Sequence, residues 1–350
     1  MSTTTKILLT GATGYIGGEI LANLLKSKYD SLKASAITCV VRGDKAEALK
    51  DLGVKIIQFN TLDETEILAD AAAEHDGKYN APIDRMDRLL IEINSRLAKR
   101  KKNTGRDVHY IHTSGTSNVA DRPVTKQYLE SGYPLSDKED IFSYLKKRDE
   151  DVPYAQRTSD VVVTEVGLEY GVKTYIMMMP CIYGIGAHPL HEFCHVPILI
   201  RSGLKLGKVP VVGDGSAIWD HVHVEDMASC YELILHRILT QQDVPSGKDG
   251  IYFVENGEHT WQEIGQRVAD AGVAIGALET NELRSLDLAE AKDILGRGWG
   301  LIAEIGWASN SRTRGHKARA LGWTPQKGED VWKSHFTADW EAILKSNSKI

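Results

Sequence analysis

Cysteine is scarce in this chain and unpatterned. The four cysteines, Cys39, Cys181, Cys194 and Cys230, include no Cys-x-x-Cys pair, and such a scatter suits reduced thiols in a cytosolic protein better than a disulfide framework. Positive charge is not in excess either: 42 Lys and Arg face 48 Asp and Glu, a net charge of −6. A protein built to neutralise phosphate backbones needs the opposite balance, so no nucleic-acid partner is expected. The basic cluster at 99–102 is short, falls at a predicted helix end and reads as a solvated face. No apolar run approaches the length needed to cross a bilayer, and the first predicted strand starts too early to leave room for a signal peptide. The expectation is a soluble, cytoplasmic protein without a membrane partner. Internal repeats and long low-complexity linkers are also missing, so the parts of the chain should interleave rather than hang on a tether.

What is present starts at residues 6–18, Lys-Ile-Leu-Leu-Thr-Gly-Ala-Thr-Gly-Tyr-Ile-Gly-Gly. Ile7, Leu8 and Leu9 make the short apolar run of a buried parallel strand, 10–14 is a turn, and Tyr15 opens a helix carrying Ile16, Ile20, Leu24 and Leu25. The glycines suit a pyrophosphate site. Gly11 can take the angles of a tight turn, Gly14 has no side chain to hold phosphate oxygens off the main chain, and Gly17 lets the helix pack closely on the strand. The amides at the helix start then face the anion. A length of 350 residues accommodates one nucleotide-binding domain and a smaller substrate lobe.

Thr10-Gly11-Ala12-Thr13-Gly14-Tyr15-Ile16-Gly17-Gly18 resembles the opening of the extended short-chain dehydrogenase/reductases, the NAD-dependent epimerase/dehydratase family, with its Gly-x-x-Gly-x-x-Gly spacing. The resemblance implies an α/β fold, a Rossmann-type doubly wound parallel sheet with a smaller C-terminal substrate lobe. Residues 1–180, joined by 211–257, would form the dinucleotide-binding domain, and 181–210 with 258–345 the substrate lobe. Cofactor contacts are implied at Gly11, Thr13, Gly14, Tyr15, Ile16 and Gly17. They are implied again at Pro180 and Ile182, because Pro180-Cys181-Ile182-Tyr183-Gly184 resembles the family's Pro-x-x-Tyr-Gly segment beside the nicotinamide.

The second strand is expected at 36–41 and ends at Arg42. At this position of a Rossmann fold a carboxylate favours NAD, whereas an arginine can pair with the 2′-phosphate of NADP. NADP(H) is therefore the expected cofactor and NAD(H) the weaker alternative; the bland alternative is a surface arginine on a loop. After a third strand at 54–59, Asn60 stands where the family usually carries an aspartate toward the adenine, and an amide can still serve there.

Two departures from the family pattern follow. Between predicted helices at 67–74 and 82–101 a fourth buried strand should lie, but 76–81 is Asp-Gly-Lys-Tyr-Asn-Ala, without the apolar residues of a strand buried on both faces. The fourth strand is thus expected to be missing or irregular. Further on, Tyr154-Ala155-Gln156-Arg157-Thr158 holds the tyrosine of the family's tyrosine–lysine pair, with threonine where the lysine belongs. Arg157 lies one position early, about 100° around the helix, and does not replace it. Tyr154 is the candidate proton donor, or else a helix-start residue after Pro153. A fifth strand at 108–113 precedes Ser114-Gly115-Thr116-Ser117; Ser114 and then Thr116 are the candidate catalytic hydroxyls, with Gly115 the alternative match to the serine of sugar epimerases, and turn formation the structural alternative.

Strands at 174–179 and 250–257, helices at 261–271 and 287–295, and a closing segment at 311–325 complete the expected chain. Residues 211–228 resemble the family's Gly-rich turn, strand and Val-Asp-Asp-x-Ala helix start, with Asp226 as the expected helix cap. Trp219 stands where many nucleotide-sugar enzymes carry an arginine, which points to an apolar or aromatic substrate unless Trp219 is core. His188, His191 and His195 are spaced as metal ligands could be, but substrate contact or packing explains them better, and no metal is expected. The leading expectation is an NADP-dependent oxidoreductase acting on a small carbonyl or alcohol. A dinucleotide sensor without turnover is the second, and a nucleotide-sugar epimerase or dehydratase the third. The expected partners are a small-molecule substrate and, in one arrangement, a second copy of the chain as a homodimer.

Overall fold

Short apolar strands alternate with amphipathic helices from the start of the chain, a rhythm that lets each helix cross over and return the next strand parallel to the last. The computed structural model describes residues 6–27, 29–32, 37–61, 64–75, 77–80, 87–187 and 194–347. The first half lays down β1 (Ile7–Thr10), α1 (Tyr15–Leu25), β2 (Ile37–Arg42), β3 (Lys55–Phe59), α2 (Thr65–Ala73), β4 (Gly77–Asn80), α3 (Asp87–Thr104) and β5 (His109–Gly115). A two-residue strand β6 (Leu135–Ser136) leads to α4 (Ile141–Asp151), α5 (Ala155–Tyr170) and β7 (Lys173–Met179). Then come β8 (Cys181–Tyr183), α6 (His195–Leu206), β9 (Pro210–Val212), β10 (Ile218–His223), α7 (Val224–Leu239), β11 (Ile251–Phe253), β12 (Glu258–Thr260) and α8 (Trp261–Ala274).

Seven of these strands form one sheet in the order β11-β7-β5-β4-β1-β2-β3, with every pairing parallel. The expected α/β architecture with a Rossmann-type parallel sheet is present. Strand β7 shows why both faces must be covered: Tyr175, Met177 and Met179 pack into one core and Ile176 and Met178 into the other, the two-residue alternation of a strand buried on both sides.

The fourth strand is not missing. Residues Gly77, Lys78 and Tyr79 pair with Ile7, Leu8 and Leu9 on one side, and Gly77–Asn80 pair with His109, Tyr110, Ile111 and His112 on the other. The expectation of a gap rested on side chains, whereas a four-residue strand between β5 and β1 is fixed by its main chain, which is paired from both sides. Asp76 and Ala81, the ends of the stretch that suggested a gap, lie outside the described residues, as does the expected helix start at Pro82.

Strand β8 divides the molecule. Ile182 joins the core beneath the large sheet, while Cys181 and Tyr183 join a second core built with Val196, Trp219, Trp261, Trp332 and Trp340. Strand β10 pairs parallel with β8 and antiparallel with β12, which ties the C-terminal residues to this second core. Trp219 is one of its members, only 3% exposed, with Nε1 donating to Ser309 Oγ at 3.0 Å. Its indole is satisfied within the core and carries no argument about the substrate. Asp226 does not cap α7 either. His223 does, its side chain accepting from the Glu225 amide, while Asp226 accepts from the amides of Gln326 and Lys327 at 2.8 Å each. An acid inside the first turn is free to point outward, and here it fastens the closing segment of the chain to α7.

Candidate active site

All strands of the large sheet run the same way, so the ends of β1, β2, β3, β5 and β7 open onto one edge, where ligands of such sheets bind. The turn after β1 is built from main chain. Gly11 has φ +73°, the left-handed region where a side chain is strained, and its carbonyl accepts from the Gly14 amide at 2.9 Å. A Cβ at Gly17 would stand 2.3 Å from Gly11 O, so only glycine lets α1 lie this close to the turn. Gly14 is different. A Cβ there would meet nothing nearer than Gly11 O at 3.4 Å, an ordinary contact. The fold does not require glycine at 14; a ligand approaching the main chain there would. Gly14 also begins α1 without a side-chain cap, and the first turn carries no acid. These open amides fit a dinucleotide pyrophosphate.

The other expected cofactor residues are placed unevenly around this turn. Thr13 and Ile16 are half-buried beside Gly14. Tyr15 is buried and its hydroxyl donates to Gly184 O, so its side chain fastens the loop after β8 to α1 and leaves only its main chain to the edge. Burial raises the Tyr15 phenol well above its ordinary value, which keeps it a donor. Glu19, one turn on, accepts from the Ala187 amide and holds the same loop. Arg42 is exposed at the end of β2 and Asn60 is exposed just past β3. Pro180 is buried, and Ile182 is buried in the core beneath the large sheet.

A second group gathers where the end of β5 meets the start of α5. Ser114 is buried, and its hydroxyl donates to Asp160 Oδ2 at 2.8 Å while accepting from Asn118 Nδ2 at 3.0 Å. Asp160 itself is fully enclosed, and His112 Nε2 lies 3.4 Å from its other oxygen. Burial pushes the Asp160 carboxyl up to about 7, opposed by the hydrogen bonds from Ser114 and Asn118. Thr116 is buried with its Oγ1 unbonded among the described residues, and its carbonyl accepts from Ser311 Oγ.

The hydroxyl that meets Tyr154 is Ser117, at 3.3 Å. Both converge on Gln156: Oε1 accepts from Ser117 Oγ at 2.6 Å and from Tyr154 Oη at 3.3 Å. Ser117, Tyr154 and Gln156 are all half-buried, as a site reached by a small molecule should be. Sequence reasoning singled out Ser114 and Thr116 and passed over Ser117. The signal it could have used was Gly115, which leaves the room that the Gln156 amide takes. Thr158, four positions after Tyr154, donates its hydroxyl to Asp149 Oδ2 at 2.8 Å. Arg157 is buried and turned inward, its guanidinium donating to the carbonyls of Asn118 and Val152.

His195 packs among Trp219, Trp261 and Trp307, with ring centroids 4.9–5.5 Å away; His188 and His191 lie outside the described residues. Among the described residues no group of three or more His, Cys, Asp or Glu is arranged to hold a metal ion. A polar patch that sequence reasoning did not foresee lies in the second core: His221 stacks on Trp332 at 3.8 Å and faces His259, while His335 Nδ1 donates to Asp339 Oδ2 at 2.6 Å. Among the described residues no helix is long and apolar enough to cross a membrane.

Known proteins resemble this chain in sequence and in fold. A family model described as the NAD dependent epimerase/dehydratase family matches residues 93–245, and one described as Male sterility protein matches 9–67. The oxidase ucsJ of Acremonium sp is 31% identical over 346 residues, covering 92% of this chain and 93% of that protein. An uncharacterized protein of Saccharomyces cerevisiae is 25% identical, covering 92% of this chain and 95% of its own. The dTDP-glucose 4,6-dehydratase DesIV of Streptomyces venezuelae, solved as a double mutant with NAD bound, superposes over 99% of this chain and 98% of its own with a TM-score of 0.68 at 17% identity, a likeness of fold. With a relative this similar over nine-tenths of both chains, and with the glycine turn opening a parallel sheet of this order, the chain belongs to the NAD-dependent epimerase/dehydratase family, the extended short-chain dehydrogenase/reductases.

Proposed function

We propose that this protein is an NADP(H)-dependent oxidoreductase that reduces a small carbonyl compound, with Tyr154 as proton donor and Ser117 as the second hydroxyl on the substrate oxygen. One observation carries this reading: Tyr154 Oη and Ser117 Oγ converge on a single carbonyl oxygen, that of Gln156. Two donors on one oxygen are what a carbonyl needs as negative charge develops on it. The bound dinucleotide supplies the hydride. The chain's own work is to orient and to protonate: Asp160 ties Ser114 and Asn118 together under the turn that presents Ser117, and Tyr154 hands its phenolic proton to the alkoxide. Ser114 and Thr116 then act as supports of that turn.

The reductive direction is supported by Thr158, whose hydroxyl is engaged with Asp149. No ammonium stands at 158, and the Arg157 guanidinium, 5.9 Å from the Tyr154 ring centroid, is engaged by the carbonyls of Asn118 and Val152, which supports Tyr154 as a donor rather than a base. The preference for NADP(H) is supported by the exposed Arg42 at the end of β2, and the redox class by the 31% identical relative named an oxidase. The same Thr158 favours a second reading, a dinucleotide sensor that binds without turnover.

The test is NADPH consumption on a panel of aliphatic and aromatic aldehydes and ketones by wild type, Tyr154→Phe and Ser117→Ala. Loss of one proton donor should lower kcat by about 100-fold in Tyr154→Phe, and loss of the second hydroxyl by about 10-fold in Ser117→Ala. Full activity in Tyr154→Phe would make Tyr154 structural. NADPH binding without turnover by any variant would leave the sensor reading standing.

A further inference from the structure

Gln156 occupies a position that a substrate would be expected to take. It is the second residue of α5, half-buried, and its amide reaches back over the end of β5. A Cβ at Gly115 would lie 3.1 Å from Gln156 Nε2 and 3.4 Å from Oε1. The amide therefore fills space left open because residue 115 has no side chain. On its other side Oε1 accepts hydrogen bonds from Ser117 and Tyr154, whose hydroxyls lie 3.3 Å apart.

The chemistry of this triangle is specific. An amide oxygen is an sp² acceptor with two lone pairs in one plane, and it receives two hydroxyl donors. A ketone or aldehyde oxygen has the same lone-pair geometry. An alcohol oxygen is tetrahedral and brings a proton of its own, which needs an acceptor. A side chain in the first turn of a helix can also swing outward without breaking any main-chain hydrogen bond of that helix.

We propose that Gln156 is an internal stand-in for the substrate: its amide fills the carbonyl-oxygen subsite when no substrate is bound and is displaced by a planar carbonyl, so the residue sets both the affinity of the subsite and its preference for carbonyl over hydroxyl ligands. The proposal rests on the reading of Tyr154 and Ser117 as the polarising pair. Gly115 and Gln156 act together here, since a larger residue at 115 would push the amide out of the triangle.

The probe is isobutyramide, a planar carbonyl ligand that is not reduced, titrated by calorimetry into the NADPH-loaded protein, with isobutanol as the tetrahedral control. Gln156→Ala removes the competing oxygen and should bind isobutyramide about tenfold more tightly than wild type, since two hydrogen bonds no longer have to be exchanged. Gln156→Glu, whose carboxylate is a stronger acceptor, should bind it more weakly. Isobutanol should show no gain, and Ser117→Ala added to Gln156→Ala should remove it. Equal or weaker isobutyramide binding by Gln156→Ala, with NADPH affinity unchanged, overturns the proposal, as does an equal gain for isobutanol or no binding of the amide to any variant. If Tyr154→Phe is inactive on carbonyl substrates and Gln156→Ala shows no gain, the stand-in fails while the assigned chemistry stands. If Tyr154→Phe keeps full activity, the polarising pair fails and the stand-in with it.

Discussion

The turn between β1 and α1 and the corner between β5 and α5 open on the same edge of the sheet, but they are made of different material. In the turn the candidate groups are main-chain amides: Gly11 makes the turn, Gly17 lets α1 pack against it, and Gly14 leaves the amides open. In the corner they are side chains drawn from the end of β5, the start of α5 and the residues before it: Ser114, Ser117, Asn118, Asp149, Tyr154, Gln156 and Asp160. A main-chain site is fixed by local geometry. A side-chain site depends on which residues neighbouring elements bring together, and one residue of register changes the answer.

The comparison breaks first within the turn itself. Gly17→Ala forces a Cβ to 2.3 Å from a backbone oxygen and should cost about 3 kcal/mol or more, read as a fall in Tm or loss of soluble protein. Gly14→Ala meets only an ordinary 3.4 Å contact; it should melt within about 1 kcal/mol of wild type yet bind NADPH about tenfold more weakly. Two equally unstable variants would mean that both glycines serve packing, and a Gly14→Ala protein with full NADPH affinity would take the pyrophosphate away from this turn.

The corner should show a dependence on pH that the turn lacks. The Asp160 carboxyl is pushed up to about 7 by burial, against the hydrogen bonds from Ser114 and Asn118, whereas an unfolded aspartate titrates near 3.9. The folded state then holds a proton that the unfolded state has lost. The stabilising contribution is complete below about pH 4 and is lost as pH rises through about 7, by about 1.4 kcal/mol per pH unit in between. Asp160→Asn removes this one contribution. Chemical denaturation of both proteins at pH 5 and pH 7 should show the variant losing less stability on the rise; parallel curves would mean that Asp160 folds as a carboxylate.

The smallest expected effect sits at the rim of the turn. Arg42 is exposed at the end of β2, so a guanidinium–phosphate pair there is partly screened. Arg42→Ala should reduce NADPH affinity by about tenfold and leave NADH affinity unchanged. Equal affinity of the wild type for both dinucleotides would remove Arg42 from the site and sharpen the contrast, leaving only main chain in the turn.

The two regions were unequally legible. Ile7–Leu9, the three glycines and the helix at Tyr15 specify strand, turn and helix over thirteen residues, because buried parallel strands are short apolar runs and a tight turn close to a helix excludes side chains. The fourth strand was missed for the opposite reason. Nothing in its side chains marks it, and pairing from β1 and β5 on both sides holds it in place. Ser114 was the first candidate hydroxyl because the resembled family places a catalytic Ser or Thr at the end of this strand, but Asp160, forty-six residues on, draws it inward and leaves Ser117 on Tyr154.

By itself, the sequence determined the α/β order of the chain, the dinucleotide turn and the absence of a lysine at 158, all properties of residues close together along the chain. Only the tertiary structure decided that Trp219 is core, that Asp226 fastens the closing segment and not the helix start, and that Ser117, Tyr154 and Gln156 share one hydrogen-bonded triangle. Those outcomes depend on which donor a buried acceptor finds when α5 and the C-terminal residues close against the sheet. That choice is made by packing between residues distant in sequence, where neither composition nor spacing carries the information.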